Sequence, residues 1–133
     1  MICILLYSVP STLAASDVKV IANSSINVSQ ITPDDLKRVF LVTKTTLADG
    51  SHVVPVHLKH GSAYSAFLRR YMGKSASGLE NYYRSLAFTG KGAIPKMLKT
   101  DADVVAYVKQ TKGAIGYVSA AADTEGVKVL DVK

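Results

Sequence analysis

Short apolar runs and segments with helical apolar spacing alternate along most of this chain. Val18-Lys19-Val20-Ile21-Ala22 is mostly apolar and predicts a central strand, with Asn23-Ser24-Ser25 as its loop. Thr32-Pro33-Asp34-Asp35 predicts a helix start: Thr32 caps, Pro33 suits the first helical position, and Asp35 completes a capping-box pattern. Leu36, Val39 and Phe40 then form an i, i+3, i+4 stripe, with Lys37 and Arg38 turned outward. Asp49-Gly50 marks a turn before a strand over Val53 to Leu58, where Pro55 removes a ladder donor and argues for an edge position or a bulge. Tyr64, Phe67, Leu68 and Tyr71 recur at helical spacing from Ser62 to Met72, and Gly73 suits the left-handed residue that closes that helix.

The second half continues the alternation. Ser77 with Glu80 reads as a capping box, opening a helix whose apolar face is Leu79, Tyr82, Tyr83 and Leu86. Phe88-Thr89-Gly90-Lys91-Gly92 breaks it, and Ala93 to Leu98 reads as a short helix with Pro95 in its first turn. Thr100 with Asp103 is a third capping box, followed by Val104, Val105 and Val108, and Gly113 ends that helix. Ala114 to Val118 and Val127 to Val132 are strands with no helix between them. The expected architecture is a single three-layer α/β domain over residues 17–133, with a mixed sheet and helices on both faces.

The first residues read differently. Met1 to Ser16 is an apolar run followed by small residues, the pattern of a secretory signal peptide cleaved near Ala14 to Ser16, although no Lys or Arg precedes Lys19. A buried strand over Ile2 to Tyr7 is the structural alternative. The single cysteine, Cys3, lies in this segment, so the expected mature chain is cysteine-free and compatible with an oxidising compartment, periplasmic or secreted. No later apolar run reaches the ~18 residues that a membrane span needs.

At 133 residues, 48% hydrophobic and 20% charged, the chain can bury a core without disulfides or metal. Its net charge of +6 is spread over many short segments after the leader. Nucleic-acid binding would call for a basic stripe interleaved with aromatics, and none is visible. His52, His57 and His60 could suggest a metal, but residues three apart on a strand face opposite sides, so no metal or other cofactor is expected. His60-Gly61-Ser62 lacks the nucleophile-elbow pattern of a hydrolase, and a serine beginning a helix is the simpler reading.

Two stretches suit an oxyanion. In Gly61-Ser62-Ala63-Tyr64, glycine permits close approach, Ser62 offers a hydroxyl, and the following amides are unpaired donors at a helix start. In Gly90-Lys91-Gly92-Ala93, glycines flank a cation ahead of the next segment, a second candidate nest of N–H groups. The candidate ligand-binding residues are therefore Gly61, Ser62, Ala63, Tyr64, Lys91 and Gly92.

Taken in order, Leu36 to Val42 with Lys44, Val56 to Phe67, Gly90 to Ala93, and Thr111 to Val118 resemble the periplasmic phosphate-binding proteins of ATP-binding-cassette transporters, with Gly113-Ala114-Ile115-Gly116-Tyr117-Val118 nearest the family's pattern. The resemblance covers most of Val18 to Ser119 and implies one lobe of a type II periplasmic binding protein. Ser62 falls where the family places its phosphate-contacting serine, while Leu58, His60 and Ala93 stand where it places arginine, aspartate and asparagine. Those departures remove a bidentate phosphate contact, which Lys59 or Lys91 replaces only as a point charge. The resemblance implies a non-catalytic, secreted solute-binding domain holding phosphate or a related oxyanion weakly, covered by a second copy of itself or by a second-lobe protein. An envelope protein-interaction module that kept the scaffold and lost the ligand is the alternative.

Overall fold

The computed structural model describes residues 18–47 and 49–133; the signal-peptide reading of Met1 to Ser16, and its strand alternative, lie outside the described residues. Among the described residues six strands form one mixed sheet in the order β2-β6-β1-β5-β3-β4. They are β1 (Val18–Ala22), β2 (Gln30–Ile31), β3 (Val54–Leu58), β4 (Lys96–Leu98), β5 (Ala114–Ser119) and β6 (Lys128–Val132). β1 lies inside the sheet, antiparallel to both β5 and β6, while β3, β4 and β5 run parallel to one another. The α-helices among the described residues are α1 (Pro33–Phe40), α2 (Ser62–Phe67), α3 (Ala76–Phe88) and α4 (Asp101–Gln110).

Alternation along β5 assigns the helices to opposite faces. On one face the ring of Tyr117 stacks on Phe67 of α2 at 3.8 Å and lies 5.8 Å from Phe40 of α1. On the other, Gly116 lets α4 close in, since a Cβ there would sit 2.8 Å from Val56 Cγ1 and 3.1 Å from Val104 Cγ1. The result is the three-layer α/β arrangement that the chain's alternation predicts.

Local signals place several elements correctly. Thr32 and Thr100 cap α1 and α4, accepting from the amides of Asp35 and Asp103 at 3.0 Å. Leu36, Val39 and Phe40 are buried as the stripe requires. Gly73 is left-handed, and its amide bonds Leu68 O at 2.8 Å, because Leu68–Met72 continues α2 as one π turn rather than an α-helix.

Three expectations are corrected. Lys96–Leu98 is a strand, not part of a helix: it pairs in parallel with Val56–Leu58, a non-local contact that overrides its weak helical signal. α3 starts two residues earlier than the Ser77–Glu80 pattern suggests, with Ser75 Oγ accepting from Gly78 N at 3.1 Å. β3 is not at the sheet's edge. Val54 N bonds Gly113 O on the β5 side, so position 55 faces the β4 side, and β4 pairing begins only opposite Val56. Pro55 therefore stands where its missing N–H has no ladder to enter.

His57 occupies the middle of the core with no exposed surface. The rings of Phe40, Tyr64, Phe67, Tyr83 and Tyr117 surround the imidazole at centroid distances of 4.9–6.2 Å. Its Nε2 is 2.8 Å from Tyr83 Oη and its Nδ1 2.8 Å from Tyr117 Oη. Tyr83 donates its only hydroxyl proton to Phe40 O, so toward His57 it can only accept. The tautomer is therefore Nε2–H, and Nδ1 accepts from Tyr117. One directed chain of hydrogen bonds runs from Tyr117 through His57 and Tyr83 to Phe40.

Burial holds the His57 pKa down at about 3. The unfolded chain takes up a proton at this histidine below pH 6.5, and the native state does not. Its contribution to stability is thus complete above pH 6.5 and declines as pH falls toward 3. Between pH 6.5 and 5, unfolding free energy should drop with a slope approaching ~1.4 kcal/mol per pH unit from this group. Urea titrations across that range will measure the slope, and His57→Gln should flatten it. Imidazole nitrogen shifts that fail to report a neutral Nε2–H ring at pH 5 would refute the assignment.

Candidate functional site

Parallel strands bring their carboxyl ends to one edge of a sheet, and the segments that leave them converge there. In this chain Leu58 ends β3, Leu98 ends β4 and Ser119 ends β5. Lys59 N bonds Leu98 O at 2.7 Å, tying together the two segments that lead into α2 and α4. Between them lies a pocket of about 220 Å³, bordered by Leu58, His60, Gly61, Ser62, Ala63, Lys99, Asp101 and Ser119.

Gly61 makes the turn into α2 with φ 100° and ψ 177°, backbone geometry that an L side chain rarely adopts. The first turn closes through Ser65 N to Gly61 O at 3.1 Å. No side chain caps it and no acidic residue neutralises it, so the N–H groups of Ser62, Ala63 and Tyr64 have no acceptor within the helix. Ser62 is exposed, whereas the side chains of Ala63 and Tyr64 are buried. Those two residues can serve a ligand only through their backbone. The Tyr64 ring instead packs edge-on toward His57, and burial followed by the nearby Glu80 charge raises its phenol pKa.

Across the pocket, Asp101 opens α4 under the Thr100 cap. Its carboxylate accepts from Ser119 N at 3.2 Å and from the Ser119 hydroxyl, which aligns it between β5 and the pocket. Lys99, exposed one residue before the cap, supplies a cation. The site thus holds amide donors, hydroxyls, an ammonium group and one carboxylate acceptor.

The two stretches singled out in sequence are not brought together. Lys91 and Gly92 follow the C-terminal end of α3, with Lys91 N bonded to Leu86 O at 3.1 Å. A Cβ on Gly92 would meet Val42 Cγ1 at 3.2 Å. The residues that follow, Ala93 to Pro95, border a cavity with Val54 and Pro55 at the opposite end of β3. Gly61 to Tyr64 and Lys91-Gly92 therefore flank opposite ends of the sheet, and the cation beside Ser62 is Lys99. Reading Lys96–Leu98 as a strand parallel to β3 would have revealed this, because it carries Lys99 to the Ser62 end.

The histidines are likewise dispersed. His57 is committed to two tyrosine hydroxyls, His60 borders the pocket, and His52 borders the cavity at the other end of β3. Among the described residues no group of three His, Cys, Asp or Glu side chains could hold a metal. Among them, too, no helix is long and apolar enough to cross a membrane.

No protein-family model matches the chain, and no curated protein matches its sequence. Solved structures match its fold. One, assigned as the substrate-binding protein of a phosphate ABC transporter in Clostridium perfringens and solved with bound phosphate, aligns at TM-score 0.65 and 19% identity, covering 86% of this chain and 44% of that one. PstS from Borrelia burgdorferi aligns at 0.64 and 14% identity, over 87% of this chain and 47% of the other. An ABC-type phosphate transport receptor from Vibrio cholerae aligns at 0.53 and 13%, over 85% and 44%. The chain spans less than half the length of these structures and has the fold of one lobe, as the resemblance in sequence implies.

The open space around Gly61 isolates a backbone effect, since a Cβ there would meet nothing within 4 Å. Gly61→Ala should cost about 1–3 kcal/mol from φ alone. Comparing its urea midpoint with that of Ser62→Ala, which leaves the turn's backbone unstrained, will measure this.

Proposed function

We propose that this chain is a non-catalytic solute-binding lobe that takes phosphate or a related oxyanion at the carboxyl edge of β3, β4 and β5. The observation that carries the reading is the convergence of the uncapped α2 amides, the Ser62 hydroxyl and Lys99 on one 220 Å³ pocket. The pocket belongs to a fold whose solved likenesses include a structure with bound phosphate. Amides at a helix start and a lysine ammonium stabilise negative charge, and a carboxylate accepts the proton of a partly protonated oxyanion. Asp101 therefore favours hydrogen phosphate over fully ionised sulfate. The pocket is partly open to water rather than enclosed, so the affinity is weak.

The apolar stretch and small residues of Met1 to Ser16 support export to the periplasm or beyond, with residues 17–133 as the mature lobe. Exposed Phe88 and Ile94 favour a second reading, in which the lobe is an envelope protein-interaction module without a ligand.

Calorimetric titration with phosphate, sulfate and a phosphate monoester tests the first reading. Phosphate should bind in the high-micromolar to millimolar range, and sulfate more weakly. Lys99→Ala should weaken phosphate by about tenfold or more, the loss expected for a hydrogen bond to a charged group. Lys91→Ala should leave it unchanged. Absence of heat from all three anions at millimolar concentration would sink the oxyanion reading and leave the interaction module.

A further inference from the structure

The outer face of α3 carries Phe88, at 91% the most exposed large apolar residue among the described residues, with Ile94 at 47% across a groove of about 300 Å³ between α3 and β4. Glu80, Arg84 and Ala87 line the helix side of that groove. Exposed apolar surface rimmed by charge marks an interaction site.

The order of residues on α3 identifies the occupant. Ser77, Glu80, Arg84 and Ala87 follow 3-4-3 spacing and form one stripe along the helix. Tyr82 is the middle residue of Ala76–Phe88, and about it the stripe is its own complement when reversed. Glu80 mirrors Arg84, the small Ser77 mirrors the small Ala87, and Phe88 mirrors Ala76. A two-fold axis through the middle of α3 would lay two copies of the helix antiparallel. Each glutamate would then face the other copy's arginine, small residues would meet small ones and allow close approach, and each Phe88 would cover the other copy's Ala76. Isologous contacts need such self-complementarity.

Among the described residues, neither Glu80 nor Arg84 is in an ion pair. Arg84 Nη1 bonds Asn81 Oδ1 at 2.8 Å rather than Glu80, and the ion pair found among the described residues is Arg38–Asp34. From this we infer that the chain self-associates as a two-fold dimer through antiparallel α3 helices, with Glu80 and Arg84 exchanged between copies and Phe88 as the apolar anchor. None of these residues lines the Ser62 pocket, so the dimer leaves that pocket open and does not depend on what it binds.

Sedimentation equilibrium on the ligand-free protein, from micromolar to millimolar concentration, tests this. Wild type should reach a dimer, more weakly at high salt because the exchanged ion pairs are screened. Glu80→Arg and Arg84→Glu should each remain monomeric, the first placing four positive charges at the seam and the second four negative ones. Mixed in equal amounts, these two variants should form a heterodimer, and the double variant E80R/R84E should dimerise like wild type. Phe88→Ser should weaken association at least tenfold. A wild type that stays monomeric at millimolar concentration, single variants that dimerise normally, or a mixture that fails to associate would each overturn the proposal.

Discussion

The hydrogen-bond chain through His57 is the constraint on which the rest of this fold depends. It joins the end of α1 at Phe40, the middle of α3 at Tyr83, β3 at His57, and β5 at Tyr117. Each hydroxyl in it has one proton and each ring nitrogen one role, so its direction is unique. A proton added to His57 would turn Nδ1 from acceptor to donor and leave Tyr117 without an acceptor for its own hydrogen. Burial and network direction therefore oppose the charged imidazole together. The aromatic shell supplies the apolar contact, and the polar chain selects one arrangement of it.

That core reaches the surface at the site. Leu58 is both the last residue of β3, next to the buried His57, and a wall of the pocket at Ser62. Tyr64 points its ring into the core beside His57 while its amide belongs to the first turn of α2. The donors at Ser62 to Tyr64 are thus anchored through Ala63 and Tyr64, whose side chains are buried. On the opposite wall, the hydrogen bonds from Ser119 to Asp101 fix α4 relative to β5. The pocket is preorganised on its protein side and open on its other side. That combination gives orientation without enclosure, the condition under which the proposed oxyanion would be held with modest strength.

The outer face of α3 is built on other terms. Leu79 and Tyr83 bury one side of the helix in the core, and the stripe through Glu80 and Arg84 is turned away from it. Its information lies in symmetry, which a helix can carry on its surface without disturbing what it buries.

The chain's pattern alone determined the α/β class, the strands at Val18, Val54, Ala114 and Lys128, and the caps at Thr32 and Thr100. Each of these is a local signal: an apolar run, a 3.6-residue stripe, or a hydroxyl three residues before an amide it can accept from. It also singled out Gly61-Ser62 as an amide-rich helix start. Lys96–Leu98 carries too little pattern to outweigh a neighbouring proline, and only pairing with Val56–Leu58 makes it a strand. With that strand went the site's cation: Lys99, Asp101 and Ser119 reach Ser62 solely through the parallel order of β3, β4 and β5. Lys91 and Gly92, equally suitable in composition, end at the other edge. Strand alternation already spoke against His57 as a metal ligand, but only the tertiary structure shows that its two nitrogens meet tyrosine hydroxyls far away in sequence. Local chemistry is written in neighbours along the chain, whereas a site is written in neighbours across the sheet, and strand order alone decides which residues those are.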